Sequence, residues 1–126
     1  MRLKRESHMP NNREKGILGE NIARDYLAKK GYRIVEKNYR TKVGEIDLIA
    51  EKDNILVFVE VKSRTTTSFG LPCEAVNRKK LNRIVKASHV YIKQNGYKDY
   101  QVRYDVIEVF LSGDVRINHI ENVLYT

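Results

Sequence analysis

The chain has 126 residues, a net charge of +8 and a sequence pI near 9.6, enough for one domain with a modest core. No apolar run approaches the roughly 20 residues that cross a bilayer, and a lone cysteine, Cys73, excludes an internal disulfide. Such an excess of positive charge predicts a polyanionic partner, either nucleic acid or an anionic membrane surface.

Residues 1 to 14 are polar, contain Pro10-Asn11-Asn12 and show no period, which predicts a mobile arm ahead of a single domain over 15–126. They hold no apolar h-region of a signal peptide, so a cytoplasmic location is expected. From about Lys15 to Lys30, Leu18, Ile22 and Tyr26 recur beside Gly19, Ala23 and Leu27, the pattern of an amphipathic helix stopped by Gly31. Glu20 falls about 20° round that helix from Leu27, on the border of the apolar face. Tyr32 to Val35 reads as a strand, and Asn38 to Lys42 as a turn.

Gly44 to Arg64 then reads as a β-hairpin: two runs of Ile, Leu, Val and Phe alternating with other residues, joined by Glu51 to Asn54. With that four-residue loop Ala50 pairs with Ile55, which places Glu45 opposite Glu60 and Asp47 opposite Phe58. Glu45, Asp47, Glu60 and Lys62 share one face, with Asp47 and Glu60 as diagonal neighbours roughly 7–8 Å apart at the backbone. Like charges on a desolvated strand face repel, and a divalent cation removes the objection. Mg²⁺, or Mn²⁺ in its place, takes one or two carboxylates and leaves positions for water and substrate phosphate. Asp47 and Glu60 are the candidate metal ligands and Glu45 an outer supporting carboxylate. Lys62 is placed to orient the attacking water and offset charge on a phosphodiester. Arg64, on the parity of Lys62, either clamps a phosphate or caps the strand end.

Asp47, ahead of Glu60-Val61-Lys62 on adjacent strands, resembles the D…(D/E)-x-K signature of the PD-(D/E)XK nuclease superfamily. More closely, Gly44-Glu45-Ile46-Asp47-Leu48-Ile49-Ala50 with Val57-Phe58-Val59-Glu60-Val61-Lys62-Ser63-Arg64 resembles the YraN-like proteins, linked by fold to Holliday-junction resolvases. The resemblance spans roughly residues 14 to 110 and takes in Gly19-Glu20 and Arg103-Tyr104-Asp105-Val106. One departure is Ile46, where the superfamily has Pro before the Asp. The resemblance implies a restriction-endonuclease-like αβββαβ core and metal-dependent cleavage of DNA. It also makes Glu20 a candidate third metal carboxylate, since the first core helix of that superfamily often contributes an acid. On spacing alone Glu20 equally suits an ion pair with Arg24.

Thr65 to Pro72 reads as a loop able to close on substrate, and Cys73 as a small packing residue at a helix start. A second helix is expected from about Glu74 to Asn95, with Leu81, Ile84, Val85, Ser88, Tyr91 and Ile92 as its buried stripe and Gly96 as its stop. Residues 75 to 98 hold seven basic residues and no acid. Lys79, Arg83 and Lys86 lie on one exposed arc, with Lys80 beside it. A one-sign stripe without Trp on its border favours nucleic acid over membrane, so these four and Arg64 are the expected DNA contacts. Tyr100 to Phe110 reads as a fourth strand, with Tyr104, Val106, Glu108 and Phe110 on one face and an Arg103–Asp105 pair on the other. Val115 to His119 reads as a fifth. A helix between strands three and four makes them parallel.

These readings converge on an α/β fold with a mixed central sheet flanked by helices. They also converge on a Mg²⁺-dependent endonuclease selective for DNA structure, since no base-reading motif is visible. A non-catalytic nucleic-acid-binding module on the same fold is the alternative. Symmetric junction cleavage would call for a homodimer.

Overall fold

The computed structural model describes residues 11–65 and 77–125. The expected arm lies outside them as far as residue 10, as do most of the loop after Thr65, Cys73 and the predicted start of the second helix. Residues 11–14, assigned to the arm from sequence, are the cap and first turn of α1 (Asn12–Lys29). The helix starts early because Asn11 accepts the Glu14 N–H (2.8 Å) and Glu14 accepts the Asn11 N–H (2.9 Å), a capping box contributing about 1 kcal/mol. It stops at Gly31, whose φ of +94° suits glycine.

Strand β1 (Arg33–Arg40) runs well past Val35, with a register shift between Ile34 and Glu36 and Asn38 at φ +51°. The turn expected at 38–42 is displaced to Thr41–Gly44, where the Thr41 hydroxyl accepts the Gly44 N–H at 3.1 Å. Strands β2 (Glu45–Lys52) and β3 (Ile55–Arg64) form the expected hairpin, but its register differs by two residues. Asp53 and Asn54 both take positive φ, as a two-residue type I′ turn requires. Lys52 therefore pairs with Ile55, and Ala50 with Val57 instead of Ile55. A shift of two preserves face parity and slides Asp47 from opposite Phe58 to the level of Glu60.

Helix α2 (Arg78–Asn95) begins behind the N-cap Asn77 and ends at the left-handed Gly96. Strand β4 (Gln101–Phe110) and β5 (Arg116–Ile120) follow, then a single 3₁₀ turn over Val123–Tyr125. The sheet order is β1-β2-β3-β4-β5, antiparallel except for β3 and β4, which run parallel because α2 carries the chain back across the sheet. The fold is α/β in the order αβββαβ plus an edge strand, as the sequence predicts.

Alternation along the strands divides the core in two. Ala23 and Leu27 of α1 pack on Leu48, Ala50, Val57, Val59, Ile107 and Val109. On the other face Ile84, Ala87 and Tyr91 of α2 pack on Ile49, Leu56, Phe58 and Tyr104. The buried Ser88 hydroxyl reaches the Tyr104 hydroxyl at 2.6 Å. Among the described residues no helix is long and apolar enough to cross a membrane.

Candidate functional site

Two close approaches bring both helices to the end of the sheet where β2 begins and β3 finishes. At Gly19 of α1 an added Cβ would collide with the Ser63 hydroxyl, which donates to the Lys15 carbonyl (2.9 Å). At Gly44 an added Cβ would stand 2.6 Å from the Arg83 carbonyl oxygen of α2. Neither helix could sit so close with a larger residue at these positions. The first approach brings Glu20 to the sheet's rim, and the second sets Glu45 against the start of α2.

Asp47 and Glu60 meet between these two approaches. The β2–β3 ladder ends at Leu48 and Val59, and beyond it the Asp47 carboxylate accepts the Val61 N–H at 2.8 Å. Glu60 is only 5% exposed, and its charge bears on the neighbouring Asp47. Burial first, and the Glu60 charge second, push the Asp47 pKa up to about 8 against the pull of the Val61 N–H, with Glu20 adding to the repulsion. Glu20 is raised too, by burial and by Glu45 and Glu60, while a hydrogen bond from Asn38 and the nearby Arg40 restrain it.

Glu20 does not pair with Arg24, which bonds to Asp25. Glu45 is exposed and lies 3.7 Å from Arg40. It acts on Glu20 and Lys80 through space. The Lys62 ammonium makes no hydrogen bond or ion pair among the described residues. Arg64 is committed to the buried Glu108, with bonds of 3.0 and 3.2 Å to one carboxylate oxygen. Its cation thus serves the strand end before any phosphate.

An open cleft of about 720 Å³ adjoins the carboxylates, walled by Lys42, Gly44, Glu45, Asn77, Lys79, Lys80 and Arg83. Lys79 and Arg83 are exposed in it, and Lys86 continues their face of α2 outside it. Lys80 turns inward from the same wall and forms an ion pair with Glu60.

Chemically this is a donor set short of positive charge. Asp47 and Glu60 crowd each other, the Glu20 charge bears on Asp47 through space, and one ammonium, that of Lys80, pairs with Glu60. Oxygen donors held on two rigid strands suit a hard divalent cation, which would offset the repulsion between the two carboxyls. Asp47 and Glu60 fit such an ion, with Glu20 at the rim. Among the described residues no three His, Cys, Asp or Glu side chains already stand at metal-ligating spacing.

A model of the uncharacterised protein family UPF0102 matches residues 19–109. The chain belongs to that family. The UPF0102 protein of Caldanaerobacter subterraneus subsp. tengcongensis is 52% identical over 116 residues, covering 89% of this chain and 95% of its own length. That of Clostridioides difficile is 51% identical over 112 residues, covering 89% and 97%. A solved structure, Pyrococcus furiosus SfsA in complex with Ca²⁺, is 16% identical with a TM-score of 0.34 over 88% of this chain and 64% of that one, too remote to carry an argument. The span matched to UPF0102 opens at Gly19 and contains Glu20, Gly44, Asp47, Glu60, Lys62 and Lys80.

Sequence reasoning reached Lys80 only as one of a basic row. Its pairing with Glu60 had a visible signal: α2 opens on Arg78, Lys79 and Lys80 with no acid in its first turn. That is the reverse of what a helix N-terminus favours. Asn38, which lowers the Glu20 pKa, left a weaker one, as an Asn inside a strand.

Proposed function

We propose that the chain is a metal-dependent endonuclease that hydrolyses phosphodiester bonds of DNA and selects DNA by structure, branched or junction forms above all. The single observation that carries the reading is the Asp47–Glu60 pair, two acidic side chains level with each other on adjacent strands beside a basic cleft. Its resemblance in sequence to the PD-(D/E)XK signature points the same way. Asp47 and Glu60 would hold Mg²⁺ or Mn²⁺, assisted by Glu20. Such an ion supplies Lewis acidity toward a phosphate oxygen and toward water. Lys62, uncommitted and two residues beyond Glu60, orients the attacking water and offsets charge as it develops on the phosphate. Lys79, Arg83 and Lys86 hold the backbone without reading bases, which is why structure and not sequence would be selected.

The test has two readouts. Mg²⁺ or Mn²⁺ should raise the melting temperature of the wild type, by the equivalent of about 2.7 kcal/mol at a hundredfold excess over Kd, and of neither Asp47→Asn nor Glu60→Gln. Branched, duplex and single-stranded DNA should then be cut by the wild type with metal, and by Lys62→Ala not at all. Equal metal stabilisation in all three proteins would sink the site.

One observation favours a second reading, a nucleic-acid-binding module without turnover: Glu60 already has a cation in Lys80, and Arg64 is spent on Glu108. Under either reading, replacing Lys79, Arg83 and Lys86 by Gln should weaken DNA binding across sequences. With metal chelated, the salt dependence should flatten by roughly 0.9 in slope for each duplex phosphate that is no longer neutralised. Binding that follows this rule without cleavage of any DNA form would leave the module reading in place.

A further inference from the structure

Lys80 stands where two demands meet. Its side chain is 43% exposed while that of its partner Glu60 is 5% exposed, so one end of the ion pair is fixed and the other can swing. Its own backbone N–H is tied to the Asn77 side chain at 2.8 Å, which pins the start of α2 while leaving the butylammonium arm unconstrained. The ammonium sits in the first helical turn beside Arg78 and Lys79, at the end of the helix where cations are unfavourable and anions welcome. An anion within reach stabilises such a residue. Two are within reach of one arm, the Glu60 carboxylate and any phosphate in the cleft that Lys80 walls together with Lys42, Lys79 and Arg83.

We propose that Lys80 is a tethered counter-ion: it occupies Glu60 in the metal-free chain, yields that carboxylate to a divalent cation, and swings its ammonium into the cleft onto a substrate phosphate. This rests on reading Asp47 and Glu60 as a metal pair, and adds a coupling that pair alone does not supply. An ammonium and a divalent ion cannot share one buried carboxylate without strong repulsion, so entry of the metal releases Lys80. A phosphate in the cleft draws Lys80 off Glu60 and opens the metal position. By linkage the two effects are one free energy, so metal and substrate each tighten the other. Lys62 cannot take this part, because it has no anionic partner among the described residues to leave.

The experiment titrates Mn²⁺ into the full chain by calorimetry, with and without a short duplex of non-hydrolysable backbone, for wild type, Lys80→Gln, Lys80→Arg and Asp47→Asn. Without DNA, Lys80→Gln should bind Mn²⁺ more tightly than wild type by about tenfold, since the competing charge is gone. Lys80→Arg, which keeps the charge, should stay near wild type. DNA should tighten Mn²⁺ binding by a similar factor in wild type and hardly at all in Lys80→Gln. Mn²⁺ affinity equal to or weaker than wild type in Lys80→Gln, with binding still abolished in Asp47→Asn, overturns the counter-ion role and leaves the metal pair standing. Absence of Mn²⁺ binding in wild type and Lys80→Gln alike overturns both together.

Discussion

Two aspartates lie on strands that flank β3 in one sheet, Asp47 on β2 and Asp105 on β4, and meet opposite fates. Asp105, paired with Val59 in the β3–β4 ladder, is next to the rung of Glu60. Its side chain is fully buried and fully answered: Arg103 Nε donates at 3.0 Å, Arg103 and His119 hold its second oxygen at 2.9 and 2.8 Å, and the Asn122 N–H donates at 3.1 Å. Tyr26 and Tyr32 in turn bond to His119 (3.0 Å) and Arg103 (2.6 Å). Burial would raise the Asp105 pKa, but the His119 bond, the Arg103 pair and the backbone N–H together hold it below the ordinary value. Asp47 has one backbone N–H and two acidic neighbours, and it is raised. An acid in a strand is therefore no sign of function in itself. The sign is an acid whose surroundings lack the charge that would finish it.

The largest effect expected from this contrast is one of opposite sign. Asp105→Asn leaves the half-buried Arg103 with only the exposed Glu121 at 3.7 Å as a counter-charge and should cost about 3 kcal/mol, read as a fall in urea midpoint at unchanged slope. Asp47→Asn in chelator removes a carboxyl that burial and Glu60 hinder from ionising, and should leave stability unchanged or improve it. A loss at Asp47 as large as that at Asp105 would make Asp47 a structural residue and end the comparison.

A smaller, graded effect is the pH dependence without metal. Asp47 has a folded pKa above its unfolded value of 3.8, so between about 4 and about 8 the folded chain binds the extra proton and stability falls as pH rises. Asp105, depressed, acts in the opposite sense: its contribution is present above its unfolded value and is lost as pH falls through the folded one. Melting temperatures across pH in chelator should therefore decline on both sides, and Asp47→Asn should flatten the alkaline decline alone. An alkaline limb unchanged in that variant would mean that the charge on Asp47 is already neutralised.

Much of this was legible in the sequence, and the exceptions have physical causes. Strand alternation and the Gly31 and Gly96 stops located the elements, and the intervening helix gave the parallel pair. The Arg103–Asp105 contact followed from same-face spacing. The register did not, because Glu51 to Asn54 admits a four-residue loop as well as the two-residue turn that Asp53 and Asn54 adopt at positive φ. Parity survived the difference, so the same four polar side chains were selected with the wrong partner opposite each. The role of Arg64 was hidden because its partner, Glu108, is distant in sequence and adjacent only through the crossover. Gly19 and Gly44 could be seen as motif residues, yet the Ser63 and Arg83 atoms that demand them exist only once both helices are docked.

The smallest expected effect falls on Glu20, and it decides how many acids the unfinished centre contains. Its carboxylate is partly buried, its pKa raised by desolvation and by Glu45 and Glu60 and lowered by Asn38. Glu20 belongs to neither core cluster, so Glu20→Gln should alter stability by less than about 0.5 kcal/mol in chelator. The amide keeps the shape but removes a negative charge close to the pair. Apparent affinity for Mn²⁺, taken from the rise in melting temperature with concentration, should weaken, while the Asp105 centre stays indifferent to metal in both proteins. If Glu20→Gln binds Mn²⁺ as the wild type does, the centre is a pair, and Glu20 is a border residue whose raised pKa reports the crowding of its neighbours.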